Sequence, residues 1–106
     1  MGVFSRLLGK DINKGVEEFN AGTEGWLLDV RAKHEYDAGH IPGAKSVPLP
    51  VIERANKLIK DKSQPVYVYC LSGGRSRQAA NALKVLGFTN VHDIGGISSY
   101  NGKLVK

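Results

Sequence analysis

The chain has 106 residues, 42% of them apolar, enough for one hydrophobic core without disulfides or a structural metal. A single cysteine excludes an internal disulfide and favours a reducing, cytoplasmic setting, and no run approaches the ~18 apolar residues of a membrane span. The net charge of +5 and a pI near 9.5 could suit nucleic acid, but the lysines are scattered with no interleaved aromatic platform, so steering of small anions is the better use of the surplus.

The start, Met1 to Leu8, carries one early positive charge and too short an apolar run before Lys10 and Asp11 for a secretion signal. Arg6 stands where the N-myristoylation pattern needs Ser or Thr. No repeat, low-complexity tract or linker follows, so residues 1–106 read as one domain.

Residues 14–20 predict a first helix, with Val16 and Phe19 on one face and Gly22 as its stop. Trp26 to Val30 is too continuously apolar for a half-exposed strand and predicts a buried one. Asp29 interrupts that run, and Arg31, two positions on, is the partner its carboxylate needs; an ion pair fixing the strand end fits better than a catalytic pair. Residues 32–38 predict a short helix carrying Glu35 and Tyr36. In His40-Ile41-Pro42-Gly43-Ala44, Pro42 and Gly43 suit the two central positions of a type II turn, and His40 reads as a turn-fixing residue rather than a catalytic one.

Ser46-Val47-Pro48 predicts a short edge strand. Residues 50–60 have Ile52, Ala55, Leu58 and Ile59 at helical spacing and predict an amphipathic helix. Val66 to Cys70 predicts a second buried strand, a helix from Gly74 or Arg75 runs to Gly87, and Val91 to Ile94 supplies a last strand. Strands alternating with helices in this way argue for an α/β sheet covered on both faces.

Cys70 is where the chemistry gathers. An isolated cysteine at a strand end is ordinarily a small core residue. Here it opens a turn, Leu71-Ser72-Gly73-Gly74-Arg75-Ser76, that leads into a helix. Adjacent glycines leave backbone N–H groups uncovered and suited to an anion-binding nest, and a core cysteine needs neither them nor Arg75. Helix N-termini and nearby cations lower a thiol from ~8.5 to about 3.5–7.5, which makes Cys70 a candidate nucleophile. Arg77, one residue beyond the turn, adds positive charge for steering anions or is merely a solvated helix residue.

Other chemistries lack their residues. His34, His40, His92 and Cys70 show none of the usual zinc spacings, so no metal is expected, and no cofactor either. There is no phosphate-loop Gly-Lys-Ser/Thr, no Gly-x-Gly-x-x-Gly, and no Gly-x-Ser-x-Gly around Ser72.

Leu27-Leu28-Asp29-Val30-Arg31, Glu35, Gly39-His40-Ile41-Pro42-Gly43-Ala44, Val68-Tyr69-Cys70 with its loop through Arg75-Ser76, and Gly95-Gly96-Ile97 together resemble the rhodanese family of sulfurtransferases. The likeness runs in order over about residues 11–101. It implies a rhodanese-like α/β fold, with a five-stranded, mainly parallel sheet flanked by helices on both faces, in a single-domain form. It implies that Cys70 takes the outer sulfur of a donor such as thiosulfate, becomes a persulfide, and passes the sulfur to cyanide or a thiol. Thioredoxin, glutathione or another sulfur-relay protein would be the acceptor partner, with no nucleic acid or membrane involved. Leu71, Ser72, Gly73, Gly74, Arg75 and Ser76 would bind the substrate, with Asp29, Arg31 and Arg77 in support.

Two alternatives stand beside this reading: a persulfide carrier or interaction module with little thiosulfate turnover, and a small phosphatase. Four residues separate Cys70 from Arg75, whereas phosphatases and arsenate reductases related to this fold place five there, and a tetrahedral oxyanion needs the wider cradle. One departure from the family pattern is Tyr100, where relatives often carry tryptophan shortly after the glycine pair.

Overall fold

The computed structural model describes residues 10–106; the reading of Met1 to Leu8 lies outside these residues. Helix α1 (Ile12–Ala21) leads to strand β1 (Trp26–Asp29), helix α2 (Lys33–Ala38) and strand β2 (Ala44–Ser46). A 3-10 helix (Leu49–Arg54) and a single α-helical turn, α3 (Ala55–Leu58), precede strand β3 (Val66–Cys70). Helix α4 (Gly74–Val85), strand β4 (Val91–Gly96) and a closing 3-10 turn (Ile97–Ser99) complete the order.

The strands form one parallel sheet in the order β2-β1-β3-β4. Alternation along β3 divides its side chains between two cores. Val66, Val68 and Cys70 face α4, where they meet Ala79, Ala80 and Leu83, together with Ala55 and Ile59. Tyr67 and Tyr69 face α1, where they meet Ile12 and Val16, with Ile41 and Ile94 alongside. All five β3 residues are buried, as an inner strand covered on both faces requires. The small Ala79 and Ala80 let α4 lie close to the sheet. A buried Leu83 contributes about 1.5–3 kcal/mol by leaving water.

The sheet has four strands among the described residues, not the five that the family likeness implied. The chain enters α1 directly at Ile12, because the Asp11 carboxylate caps that helix by accepting the Asn13 and Lys14 amides. Among the described residues, the only pairing outside the sheet is a single antiparallel bridge between His40 and Val105. α1 therefore begins two residues before the predicted start.

The predicted helix over 50–60 is broken. Leu49–Arg54 is a 3-10 helix, Val51 turns out of helical geometry (φ −124°, ψ 33°), and its amide bonds the Pro48 carbonyl at 2.9 Å. The inward side chains still follow the predicted pattern, with Ala55 and Ile59 fully buried. β2 is Ala44–Ser46 and not 46–48, since the register pairs Leu27, Leu28 and Asp29 with Ala44, Lys45 and Ser46. The predicted type II turn is present: the Ala44 amide bonds the Ile41 carbonyl at 3.0 Å, and Gly43 has φ +90°.

β4 runs two residues further than predicted and slips register between Val68/Tyr69 of β3, so that Val68 faces Asp93 while Tyr69 faces Gly95. The slip is a bulge, with Gly95 at φ +101°, a conformation side chains resist. Its consequence is that Gly96, with no side chain, lies opposite Cys70 and leaves room for the loop beyond it.

Candidate active site

Cys70 ends β3, and the chain then turns through Leu71 to Gly73 into α4. Gly73 caps α4 in the left-handed region, φ +113°, which only glycine takes at little cost. That turn points the Gly73 amide back at the Cys70 Sγ, 3.0 Å away. Burial alone pushes the Cys70 thiol up, but the Ser76 hydroxyl and the amides of Ser76, Gly73 and Ser72 outweigh it, and the net direction is down. The loop is pinned from outside by the Ser98 amide, which bonds the Leu71 carbonyl at 3.1 Å. A Cβ at Gly96 would run into that same carbonyl.

Cys70 is only 1% exposed, whereas Leu71 beside it is 46% exposed. Next to the loop, a cleft of about 410 Å³ is lined by Ser72, Gly73 and Gly74 together with Lys10, Arg77 and Asp93. Arg77 is exposed, so the structure leaves it at the cleft wall and not at the sulfur.

Arg75 is tied to α2. Its Nη1 and Nη2 bond the two Glu35 carboxylate oxygens at 2.6 and 3.2 Å. Glu35 Oε1 also accepts the Ala32 amide at the start of α2, at 3.0 Å. The Arg75 guanidinium holds the Glu35 carboxyl down at about 2, against the opposing effect of burial. Glu35 in turn raises Arg75, and the Cys70 charge adds a smaller push in the same direction.

Asp29 and Arg31 form the ion pair read from the sequence. Arg31 Nε and Nη2 reach the Asp29 carboxylate at 3.0 and 2.6 Å, and Nη2 also bonds the Gly39 carbonyl at 2.8 Å. Asp29 is fully buried, and its alternation places it on the α1 face beside Tyr69, away from the side of the sheet that carries Cys70. The Tyr69 hydroxyl, pushed up by burial and by Asp29, accepts the Ile41 amide. These bonds anchor the segment after β1.

His40 stacks on Tyr36 with ring centroids 3.7 Å apart, and its Nδ1 lies 3.0 Å from the Tyr36 carbonyl. Its backbone bridges Val105. Those contacts are what a turn-fixing residue makes. Tyr100 follows the closing 3-10 turn and packs against the α1-face core.

Two residues at the site had no role in the sequence reading. Glu35 holds Arg75, and Asp93 Oδ1 accepts the Ser76 hydroxyl at 2.7 Å and the Gly95 amide at 3.1 Å. The Asp93 spacing two residues before Gly95 was visible, but its partner lies 17 positions away across a crossover.

A parallel sheet between helices, with a cysteine offered from the end of an inner strand into an amide-lined loop, defines the class of α/β proteins built around a loop-borne thiol. Within that class the chain belongs to the rhodanese-like domain family, whose model matches residues 11–103, and so to the rhodanese-type sulfurtransferases. It is 41% identical over 91 residues to the uncharacterised protein YqhL of Bacillus subtilis strain 168, covering 83% of this chain and 71% of that one. It is 39% identical over 75 residues to the thiosulfate sulfurtransferase PspE of Escherichia coli K12, covering 70% of this chain and 71% of that one. The rhodanese-like domain of the Anabaena protein Alr3790, solved by NMR, superposes with a TM-score of 0.80 at 30% identity, covering 90% of this chain and 76% of that one. The chain spans only a quarter of some longer curated relatives that it matches.

Proposed function

We propose that the protein moves a sulfane sulfur from thiosulfate to a thiophilic acceptor through a persulfide on Cys70. The Cys70 thiolate attacks the outer sulfur of thiosulfate; the S–S bond breaks and sulfite leaves with its electron pair. The terminal persulfide sulfur then carries the negative charge. An acceptor thiolate, or cyanide, attacks that sulfur and restores the Cys70 thiolate, so no net proton, electron or co-reactant is needed. Loop amides from Ser72 to Ser76 and the α4 N-terminus would hold the charge in both halves, with Arg75 adding field from the rim.

The observation that carries this reading is the Gly73 amide 3.0 Å from a thiol whose hydrogen bonds outweigh its burial. Likeness to PspE supports thiosulfate as the donor. Thiosulfate:cyanide turnover should be measurable and should vanish in Cys70→Ser; turnover retained in that variant overturns the proposal.

Persulfide carriage for a protein partner is the second reading. It is favoured by Leu71, an exposed apolar side chain next to a thiol that free solvent barely touches. A protein that accepts sulfur from another persulfide yet fails to turn over thiosulfate would decide for it. The same reasoning expects no phosphate-ester hydrolysis, given four residues between Cys70 and Arg75.

A further inference from the structure

The Ser76 hydroxyl has one proton and more acceptors than it can serve. Fully buried, it lies 2.7 Å from Asp93 Oδ1, 3.1 Å from the Gly73 carbonyl and 3.5 Å from the Gly95 carbonyl. The same hydroxyl is among the groups that pull the Cys70 thiol down, while its hydrogen-bond contacts all run to these oxygens. The shortest of these contacts runs to the carboxylate, and charge-assisted bonds are roughly twice as strong as neutral ones. Alternation along β4 makes this meeting possible: Asp93 pairs with Val68 in regular register and so lies on the α4 side of the sheet, just before the bulge.

We infer that Asp93 is a positioning residue, which draws the Ser76 hydroxyl proton toward itself and so sets how much of that donor reaches the Cys70 sulfur. The inference deepens the proposed function and rests on Cys70 being the nucleophile. Its chemical use follows from a compromise. A thiol whose anion is held too tightly is mostly ionised but a poorer nucleophile, and the best attacking thiol titrates near ambient pH. The loop amides lower the thiol; Asp93 limits the lowering by withholding one donor.

Other charges around the pair are accounted for. Arg75, at the start of α4, is paired with Glu35 of α2, and Asp29 of β1 is paired with Arg31. Asp93 Oδ2 lies 3.7 Å from Lys10, which precedes α1, and Arg77 of α4 shares the cleft with both. Lys10 is half exposed and its contact is long, which leaves the Ser76 hydroxyl and the Gly95 amide as the close donors on the Asp93 carboxylate.

The test is the pH profile of Cys70 alkylation by iodoacetamide, which reads the thiol directly whether or not the protein turns over thiosulfate. Asp93→Asn keeps an oxygen for the Gly95 amide and removes the charge that competes for the hydroxyl. It should move the midpoint by about one pH unit to the acid side. Ser76→Ala should move it to the alkaline side, and Ser76→Thr, which keeps the hydroxyl, should restore it. The decisive variant is Asp93→Asn with Ser76→Ala: its midpoint should match Ser76→Ala alone. An acid-side move of the same size in both backgrounds would mean that Asp93 acts only through its field, and an unmoved midpoint in Asp93→Asn would mean that it does not act on the sulfur at all; either overturns the inference. If Asp93→Asn folds poorly, Asp93→Ala serves in its place, with the same expectations and the same refuting results.

Discussion

Arg75 and Glu35, forty positions apart, meet in a two-point ion pair that joins the start of α4 to the start of α2. The pair spans the rim of the cysteine loop, so the guanidinium is held in place before any anion arrives. Preorganised charge of this kind costs no reorientation during reaction.

The pair makes stability depend on pH. Glu35 is held at about 2, below its ordinary carboxylate value, mainly by Arg75. A carboxyl depressed in the folded state contributes stability that is complete above its unfolded value, near 4.5, and is lost as pH falls toward 2. Urea unfolding at pH 6, 4 and 3 should show that loss, and Glu35→Gln should flatten it. Because both side chains are partly exposed, the pair should be worth about 1 kcal/mol at most.

Arg75→Ala should slow sulfur loading by roughly 10- to 1000-fold while leaving the fold intact. Glu35→Gln should slow it less, since the guanidinium remains but is no longer held. In the Arg75→Ala background, Glu35→Gln should change loading no further. Stopped-flow loading rates of the two single variants and the double variant check this.

Gly96→Ala should disable the loop. The added methyl meets the Leu71 carbonyl and the Ser72 backbone, neither of which can move without shifting the Cys70 cradle. The expected cost is about 1–3 kcal/mol of stability, with a larger proportional loss of sulfur loading. Equilibrium unfolding beside a loading assay separates the two effects.

Asp29→Ala should be costly for stability and mild for chemistry. It leaves the Arg31 guanidinium buried with only the Gly39 carbonyl, and breaking such a pair costs about 3–5 kcal/mol. The alkylation midpoint of Cys70 should stay close to that of the unaltered protein, because Asp29 faces the α1 side of the sheet.

Local chemistry explains why so much was legible in the sequence. The Cys70 loop is defined by residues within six positions of one another, and glycine at Gly73 and Gly43 declares a backbone geometry that its neighbours cannot overrule. The Asp29–Arg31 pair is equally local. The 50–60 segment was misread because its apolar spacing is helical and its inward side chains stay inward, while the backbone leaves helical geometry at Val51 and again at Ile59. Glu35 with Arg75 and Asp93 with Ser76 were hidden for a different reason. Each contact is made by crossovers between parallel strands, which bring together partners 40 and 17 positions apart. The fifth strand came from likeness alone, and no described segment forms it.

The most direct measurement is the intact mass of the protein after incubation with thiosulfate and removal of excess reagent. The account predicts a gain of one sulfur atom, absent in Cys70→Ser and removed by cyanide or dithiothreitol. An unchanged mass, or a gain that persists in Cys70→Ser, would contradict it.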